Sequence, residues 1–398
     1  MQTYEKYKDS GVAWIGEIPY HWDVVSLKRS LRIKNGCDYK TIQVDEGGYP
    51  VIGSGGEFAR ASKYLYDGEV VLLGRKGTID KPLYYEGQFW VVDTMFYGIP
   101  LNNCFGKYLY FQSRTIPFNR YSTNTALPSM TQTDLNSHSI CLPTFAEQQC
   151  IASYLDKKCA DIDKVIATQQ RRIELLQELK QSTITHAVTH GLNPNVKMKD
   201  SGVEWIGEVP EHWELIPFKY ISDIIMGQSP SGDDIKSEGK QLFMQGNADF
   251  SSLYPQPSLY CDKCKKFSRV GDVLMSVRAP VGELNISDRV YGIGRGLCSI
   301  KSKEISQRYL WYLLIKSKSD FSCFTTGSTF DAISIQILKS FISIIPSFSE
   351  QQAITTYLDK KCAELDASIS KAQKEIDLLQ EYKQALITEV VTGKRKVC

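Results

Sequence analysis

One short stretch of sequence occurs twice in this chain, about half a chain length apart. Residues 8–22 read KDSGVAWIGEIPYHW, and residues 199–213 read KDSGVEWIGEVPEHW. A period of 20–50 residues would indicate a solenoid of small stacked repeats. The spacing here is 191 residues in a chain of 398, so the repeat predicts two copies of a whole domain.

A second, longer repeat follows each copy of the first. Residues 142–189 return as residues 345–392 with 27 identities in 48 positions and no gap. The chain therefore divides into two globular segments, each followed by the same tail. We place the first domain at residues 1–141, its tail at 142–195, the second domain at 196–344 and its tail at 345–398.

The two tails are predicted to be long helices. Beyond an opening proline neither contains Gly or Pro until its end, and residues that lose little freedom in a helix are plentiful. Steps of four and three alternate along each tail, which is the seam of a coiled coil. The seam of the first tail comprises Leu155, Cys159, Ile162, Ile166, Gln169, Ile173, Leu176, Lys180, Thr183 and Ala187. The seam of the second comprises Leu358, Cys362, Leu365, Ile369, Ala372, Ile376, Leu379, Lys383, Leu386 and Val390.

Each tail begins with residues typical of a capped helix. Thr144 precedes Glu147 by three positions, and Ser349 stands directly before Glu350. Two arrangements of the helices remain open: each apolar stripe can pack on its own domain, or the stripes can cover each other. A stripe this long and narrow is better buried by a similar one, which favours an antiparallel pair with the domains at opposite ends.

The globular segments have the composition of mixed α/β domains, with short apolar runs between Gly and Pro turns. The predicted fold class is thus mixed α/β (α+β) globular domains in tandem duplicate, separated by two long antiparallel helices that form a coiled coil. Part of a shared skeleton persists between the segments. GEVVLLGRKGT at residues 68–78 aligns with GDVLMSVRAPV at residues 271–281, and this alignment matches Arg75 with Arg278.

Composition narrows the class of protein. No apolar run reaches the roughly 18–20 residues that span a bilayer, and the N-terminus lacks the apolar core of a secretory signal, so we expect a cytoplasmic protein. The chain is too large for a small disulfide scaffold, and its eleven cysteines are expected to be reduced thiols. A net charge of +2 neither requires nor excludes nucleic acid.

The order of these motifs resembles the specificity subunit of type I restriction-modification enzymes. The resemblance is carried by WIGEIPYHW and WIGEVPEHW, by the turns after GEVVLLGR and GDVLMSVR, and by LPTFAEQQ and IPSFSEQQ before the helices. It covers essentially the whole chain. It implies two target recognition domains, each reading one half of a split DNA sequence. It also implies that the helices space the domains and dock two methyltransferase subunits, which two ATP-driven restriction/translocase subunits then join.

The resemblance further implies a non-catalytic, DNA-binding subunit of a complex that methylates or restricts double-stranded DNA. No cofactor is expected in this chain, with S-adenosylmethionine, ATP and Mg²⁺ on the partner subunits. Two readers on one face of B-DNA must lie about 34 Å apart, or a multiple of that distance, and a stiff helix pair suits this need. The even charge is then understandable, because the partners can supply much of the attraction for phosphate.

Catalytic and metal motifs are missing from the sequence. GRKGTIDK at residues 74–81 lacks the spacing of a phosphate-binding loop, and GIGRG at residues 292–296 is not a dinucleotide motif. CDKC at residues 261–264 has no second cysteine pair, and the i,i+4 pair of His186 and His190 is not repeated in the second tail, so no metal is expected. Two alternatives stay open: a standalone nuclease or methyltransferase with an unrecognised active site, and a coiled-coil adaptor that binds protein.

Candidate DNA contacts are polar or basic residues in predicted loops. Arg can bond guanine twice, and Asn or Gln can bond adenine. In the first domain we predict Ser54, Gly55, Arg75, Lys76, Asn124 and Thr125. In the second we predict Gln245, Asn247, Lys265, Lys266, Arg278, Thr326, Ser328 and Thr329. Turns, ion pairs or phosphate clamps remain simpler explanations for several of them, and the repeated tryptophans are expected to be core or helix-docking residues.

The helices carry the same polar residues in both copies, which indicates two equivalent partner sites. The predicted partner-binding residues of the first tail are Glu147, Gln148, Gln149, Lys157 and Lys158. Those of the second tail are Glu350, Gln351, Gln352, Lys360 and Lys361. A recent duplication would also leave such residues alike, but the globular segments diverged, and this contrast favours a partner.

Overall fold

The structure, a computed structural model, describes residues 3–121, 128–322 and 332–398, which form two units. Unit 1 comprises Met1–Arg171 and Gln373–Cys398, and unit 2 comprises Arg172–Ala372. Each unit therefore contains one globular segment, the first part of the tail that follows it, and the last part of the other tail. The boundaries between units thus fall inside the tails, whereas the sequence divides each tail from its domain.

Over its described residues, the globular segment of unit 1 combines eleven short strands with three short α-helices. The strands are β1 (Tyr7–Asp9), β2 (Glu17–Pro19), β3 (Asp23–Ser26), β4 (Leu31–Asn35), β5 (Gln43–Val44), β6 (Tyr49–Gly53), β7 (Gly56–Ala61), β8 (Tyr66–Gly74), β9 (Leu83–Val91), β10 (Met95–Pro100) and β11 (Ser139–Leu142). The helices are α1 (Gly106–Ser113), α2 (Phe118–Tyr121) and α3 (Gln132–Ser137).

Seven of these strands form one sheet in the order β4-β10-β8-β9-β6-β7-β5. All pairings are antiparallel except β6 with β9, which run parallel. The apolar run VVLL in β8, an interior strand of the sheet, is fully buried, as expected where both faces of a sheet are covered. The remaining strands form two small pairs, β1 with β2 and β3 with β11.

Unit 2 repeats this plan with shorter strands. Its strands are β12 (Met198–Asp200), β13 (Glu208–Pro210), β14 (Glu214–Pro217), β15 (Ser222–Met226), β16 (Leu242–Met244), β17 (Leu259–Tyr260), β18 (Val273–Ser276), β19 (Leu284–Ile286), β20 (Gly292–Ile293), β21 (Leu297–Ser302) and β22 (Ile342–Ile345). The α-helices among the described residues of this segment are α5 (Phe218–Ile221), α6 (Gln307–Ser322) and α7 (Ile335–Ser340).

The large sheet of unit 1 corresponds to two smaller sheets in unit 2. One has the order β15-β21-β18-β19, and the other has the order β17-β16-β20. The parallel pair is preserved, because β16 and β20 run parallel as β6 and β9 do. The small pairs recur as β12 with β13 and β14 with β22. The prediction of duplicated mixed α/β domains therefore agrees with the structure.

Two long helices follow the globular segments, as predicted: α4 spans Phe145–His190 and α8 spans Phe348–Val391. Every residue of the two predicted seams is buried or half-buried. In unit 1, Cys150 lies near Cys398 and Asp163 lies near Lys383. As residue numbers increase along α4, the numbers of the residues that it contacts in and after α8 decrease, so the helices run antiparallel there.

The same antiparallel pairing occurs in unit 2. Lys180 contacts Asp366, and further along the pair His186 lines a cavity together with Tyr357. The beginning of α8 also packs on its own domain, where Ile354 and Leu358 join the core around Trp213. The two arrangements that the sequence leaves open are therefore both realised, each over part of the helix.

The helix caps match the prediction in the first copy and differ in the second. Thr144 and Glu147 bond each other's backbone N–H groups, which is a capping box. In the second copy the cap is Ser347 rather than Ser349: the Ser347 hydroxyl accepts from the Glu350 amide at 3.4 Å, and the Ser347 amide donates to Glu350. The prediction placed the cap two residues too late, because the helix begins at Phe348.

One cysteine pair contradicts the expectation of reduced thiols. Cys150, near the start of α4, forms a disulfide with Cys398 in unit 1. The residues that follow α8 are therefore fastened beside the beginning of α4. Tyr7 donates to the carbonyl of Gly393, and Arg395 forms an ion pair with Glu389. The sequence could not indicate this pairing, because the two cysteines are 248 residues apart.

None of the helices within the described ranges combines the length and the apolar character that a bilayer span requires.

Candidate nucleic-acid interface

The repeated opening motif and the repeated tail meet at one carboxylate in each unit. In unit 1 the Trp22 indole N–H donates to Glu147 at 3.3 Å, and His21 Nε2 lies 2.9 Å from the same oxygen. In unit 2 the same contacts join Trp213 and His212 to Glu350, at 3.1 and 2.9 Å. The two motifs recur together because each supplies half of one contact between domain and helix.

These contacts lower the pKa of both carboxyl groups. Burial alone would raise the pKa of Glu350, but hydrogen bonds from Ser347, His212 and Trp213 lower it to about 2. The pKa of Glu147 is lowered for the same reasons. Both glutamates bond within the chain and keep part of their side chains exposed, so their partner binding stays a prediction.

The glutamines that follow these glutamates are also internal. Gln148 is fully buried, accepts from the Phe105 amide at 2.9 Å and donates to the carbonyls of Asn103 and Pro143. Gln351 is 2% exposed, accepts from the Ser306 amide at 2.8 Å and donates to Pro346. Their prediction as exposed partner-binding residues is wrong, since their amides hold the start of α1 and α6 against the long helices.

The other predicted partner residues do face solvent. Lys361 forms an exposed pair with Glu364 one turn later. The exposed members of the set are Gln149, Lys157, Lys158, Gln352, Lys360 and Lys361. They stay predictions as partner contacts.

Each globular segment presents a group of loops at one end of its parallel strand pair, which we call the loop edge. In unit 1 the loop edge comprises residues 36–37, 53–55, 75–76 and 92–94. In unit 2 it comprises residues 227–229, 245–247, 277–278 and 294–296. Each loop continues a sheet strand, so the sheets bring together segments that lie far apart in sequence.

Equivalent backbone hydrogen bonds of 2.7–3.2 Å hold both loop edges. The unit 1 bonds, donor first, join Val92 to Ile52, Met95 to Val92, Gly36 to Met95, Cys37 to Val91 and Arg75 to Thr94. The unit 2 bonds join Gly294 to Met244, Leu297 to Gly294, Gly227 to Leu297, Gln228 to Ile293 and Val277 to Gly296. The backbone framework is therefore the same in the two units, although the side chains differ.

This framework corrects one residue match made from sequence. Met95 pairs with Gly74 in unit 1, and its counterpart Leu297 pairs with Ser276 in unit 2. The residue equivalent to Arg278 is therefore Lys76, not Arg75. Isolated bridges agree, because Lys76 pairs with Ser129 and Arg278 with Ala332. The sequence alignment of residues 68–78 with 271–281 is therefore shifted by one residue, because hydrogen bonds between strands, not sequence spacing, set the register.

The predicted DNA contacts of unit 1 lie largely at its loop edge. Ser54 and Gly55 form the two-residue turn between β6 and β7. Arg75 is half-buried: its guanidinium donates to the Asp93 carbonyl at 3.3 Å and lies over the Phe96 ring. Lys76 is exposed, and both basic residues line a cavity of about 310 Å³. Asn124 and Thr125 lie outside the described residues.

The predicted contacts of unit 2 divide between the loop edge and its flank. The Gln245 amide donates to the Ser229 hydroxyl at 2.6 Å, and Oε1 of Gln245 is buried without a partner among the described residues. Asn247 is half-buried beside it, and Arg278 is exposed. The flanking residues are Lys265 and Lys266, both exposed. Thr326, Ser328 and Thr329 lie outside the described residues.

Two loop-edge residues were missed in the sequence, Asp93 and Arg295. Both are exposed and lie at the same place in the two frameworks; Arg295 stands between buried residues, whereas Asp93 is followed by the exposed Thr94. The sequence holds one usable signal for this position, an arginine between two glycines in GIGRG.

No group of three or more His, Cys, Asp or Glu side chains is placed to share a metal ion in the parts of the chain that the structure describes. Burial raises the pKa of Cys264, the second cysteine of CDKC, to about 12, so the Cys264 thiol is protonated at neutral pH. His186 and His190 stack at 4.9 Å, and His190 also contacts the Thr189 hydroxyl.

Comparisons with known proteins agree with this architecture. The family model described as "Type I restriction modification DNA specificity domain" matches twice, at residues 19–177 and 210–377. The chain is 32% identical to the putative type I restriction enzyme MjaX specificity subunit of Methanocaldococcus jannaschii, covering 96% of both chains. It is 24% identical to the MjaVIII specificity subunit of the same organism, covering 96% of this chain and 94% of that one.

A solved structure shares the fold. It is described as "Structural basis underlying complex assembly and conformational transition of the type I R-M system", and it superposes with a TM-score of 0.73 at 23% identity. The match covers 94% of this chain and 98% of the other. The predicted fold class, with duplicated mixed α/β domains and two long helices, is confirmed.

Proposed function

The chain belongs to the family of type I restriction-modification DNA specificity proteins, and from that premise we propose that each unit reads one half of a bipartite double-stranded DNA target. One observation carries this proposal: the loop edges share one backbone framework but carry different side chains. A shared framework lets both units meet DNA in the same way, while different side chains select different bases.

The loop edges have the chemistry that base recognition needs. Unit 1 presents Ser54, Lys76 and Asp93, and unit 2 presents Asn247, Arg278 and Arg295. Amide, carboxylate and guanidinium groups bond base edges in the major groove, while basic side chains also bond phosphates. These side chains stand on loops fixed by strand ends, so they need little ordering when DNA binds.

The chain is a non-catalytic subunit, because its relatives are named as specificity subunits. This assignment displaces the alternative of a standalone nuclease or methyltransferase. Our proposal puts S-adenosylmethionine, ATP and Mg²⁺ on partner subunits and none of them in this chain. It also places the protein in the cytoplasm, since a DNA-reading subunit acts where the genome lies.

The outer faces of the long helices offer equivalent surfaces for partner subunits. In unit 1 Leu378 is 65% exposed and Tyr382 is 51% exposed, one helical turn apart and away from the seam. In unit 2 the corresponding residues of α4, Leu175 and Leu179, are 49% and 53% exposed. Contiguous exposed apolar patches mark protein interfaces, and each of these adjoining pairs would form the apolar centre of one.

We therefore propose that two methyltransferase subunits bind these surfaces, and that two restriction/translocase subunits join through them. The same pair of positions is exposed in each copy of the tail, which suits two identical partners. Exposed lysines on the same helices, Lys157, Lys158, Lys360 and Lys361, would lie at the polar rim of such an interface.

A segment exchange tests the two-reader function. The chain is assembled with its partner subunits, and the bases it selects are read from the methylated sites of the host genome. Replacing residues 27–138 with the equivalent segment of another family member keeps β3 and β11 paired, because both strands stay native. The exchange should change one half of the recognised sequence and leave the other half unaltered.

Two results would count against the proposal. Changes in both halves would mean that the units do not read independently. An unaltered genome methylation pattern after deletion of the gene would mean that the chain does not direct methylation at all. As a matched control, the same replacement made with this chain's own residues 27–138 should change neither half of the recognised sequence.

A further inference from the structure

Asp93 and Arg295 occupy one equivalent position in two units that share a backbone framework. Each residue follows a parallel strand, β9 or β20, by two positions. The residue before it, Val92 or Gly294, donates its amide N–H to the end of the neighbouring strand, at 3.2 or 2.7 Å. The residue after it offers its carbonyl to the loop that continues β8 or β18.

The backbone around Arg295 leaves only this side chain free to extend outward. A Cβ atom on Gly294 would lie 2.5 Å from Gln245 Oε1, and one on Gly296 would lie 2.6 Å from the Gln245 carbonyl. Both neighbours must therefore be glycine for the loop to press against Gln245. Between Tyr291 and Ile300, a fully described stretch, Arg295 is the single exposed residue.

The Arg295 and Asp93 side chains have no structural task within the described ranges. The Arg295 backbone amide reaches the Ser229 hydroxyl at 3.4 Å, but its guanidinium forms no hydrogen bond or ion pair with a described residue. The Asp93 carbonyl accepts from Arg75, while its carboxylate likewise has no bonded partner among the described residues. An exposed charge with no partner in the fold is available to a ligand.

A second equivalent pair behaves differently and supplies the contrast. Lys76 and Arg278 also match between the frameworks, both are exposed, and both are positive. A charge kept in both units suits a phosphate, which every DNA sequence presents. Asp93 and Arg295 carry opposite charges at one position, which suits a base that differs between the two half-sites.

We infer that Asp93 and Arg295 each specify one base pair, at corresponding positions of the two half-sites. Arg295 would select guanine, whose O6 and N7 acceptors match the two donors of a guanidinium. Asp93 would select a base that donates an amino group in the major groove, with cytosine N4 the closest match for a carboxylate. Lys76 and Arg278 would hold the backbone beside them.

This inference rests on the proposed function, and its test uses the complete complex. The chain with its partner subunits selects duplexes from a randomised DNA pool, and the bound sequences are read at a fixed salt concentration. Arg295→Ala should lose the preference for guanine at one position of one half-site, with a 5- to 150-fold loss of affinity for the original sequence. Asp93→Asn should weaken the base preference at one position of the other half-site.

Lys76→Ala and Arg278→Ala are the matched controls. Each removes a neighbouring exposed charge, and each should weaken binding to all sequences alike. Each should also reduce the slope of log affinity against log salt concentration by about 1. Thermal unfolding of every variant should match the parent chain, because these side chains are exposed. A shift in unfolding temperature for Arg295→Ala would overturn the inference by giving the side chain a structural role.

The outcomes separate this inference from the function beneath it. If the parent complex selects no sequence, the proposed function fails. If the parent selects a bipartite sequence and Arg295→Ala weakens all sequences equally, the function stands and Arg295 is a phosphate contact, which overturns the inference. Loss of base preference in both half-sites in a single variant would also overturn the inference, since each residue belongs to one unit.

Discussion

Lys383, in the second copy of the tail, donates to both carboxylate oxygens of Asp163, in the first copy, at 2.6 and 2.5 Å. Lys180 and Asp366 repeat this contact in unit 2 with the two helices exchanged, at 2.7 and 2.8 Å. Both lysines stand at seam positions where an apolar residue would pack. A polar residue at a seam position favours one register over others, so these pairs fix how the helices align.

The first prediction concerns the cost of leaving Lys383 unpaired. Its side chain is only 14% exposed, so Asp163→Ala should destabilise unit 1 by about 1–3 kcal/mol, as an unsatisfied charged group does. Lys383→Met should be nearly neutral, and the double variant should be more stable than Asp163→Ala alone. The measurement is urea unfolding. Asp366→Ala is the matched comparison and should cost less, because Lys180 is 31% exposed. Additive effects in the double variant would show that the pair is not coupled.

The second prediction concerns acid stability. The folded pKa of Glu350 is about 2 and its ordinary value is 4.5, so the carboxylate stabilises the fold fully above pH 4.5. That contribution should be lost as the pH falls from 4.5 towards 2. Glu350→Gln should therefore lower the urea midpoint at pH 7 and flatten its decline in this window. Glu375→Gln, an exposed carboxylate of the same helix, serves as the control. Parallel pH profiles for Glu350→Gln and the parent chain would contradict the assignment.

The third prediction concerns the disulfide between Cys150 and Cys398. In the oxidised chain, Cys398→Ser should reduce the free energy of unfolding by about 2–4 kcal/mol, because the bond closes a long segment of 248 residues. Under a reducing agent the variant and the parent should unfold alike. Cys37→Ser, at an exposed free thiol, is the control and should have no effect in either condition. If Cys398→Ser changed stability only under reducing conditions, the bond would not be the cause.

The fourth prediction concerns the partner surface. Leu378→Asp together with Leu175→Asp should abolish co-purification of the methyltransferase subunit, because each places a charge in an apolar contact. Either single change should leave one site and reduce the bound methyltransferase by about half. The unfolding midpoint should not change, since both leucines are exposed. Asp377→Lys, at an exposed residue on a different face of the same helix, is the control. Full methyltransferase binding by the double variant would move the interface to another face.

Several features could be predicted from the sequence because they depend on neighbours along the chain. The seam of α4 and α8 follows from steps of three and four, since residues so spaced share a helix face. The Thr144 cap follows from its spacing to Glu147. The motif of large apolar residues predicts the buried positions of Trp22 and Trp213, although Trp205 of the same motif is 37% exposed. Each of these features depends on residues that are close together in the sequence.

The candidate site was predicted only in part. Arg75, Lys76, Gln245 and Arg278 were chosen from loops and do lie at or beside the loop edges. Gln148 and Gln351 were placed on an exposed face, yet both are buried, because polar residues at a helix start look alike whether they face solvent or cap a neighbouring element. No residue near Gln148 in the sequence indicates that its side chain bonds the amide of Phe105.

The sequence by itself determined the duplication, the two long helices with their seam, and the family, because repetition and periodicity are properties of the chain order. The tertiary structure decided which residues meet. Strand pairing brings residues 36, 53, 75 and 93 of unit 1 to one edge, and hydrogen-bond register makes Lys76 the counterpart of Arg278 and Asp93 the counterpart of Arg295. Contacts between distant segments depend on this register, and local sequence carries no record of it.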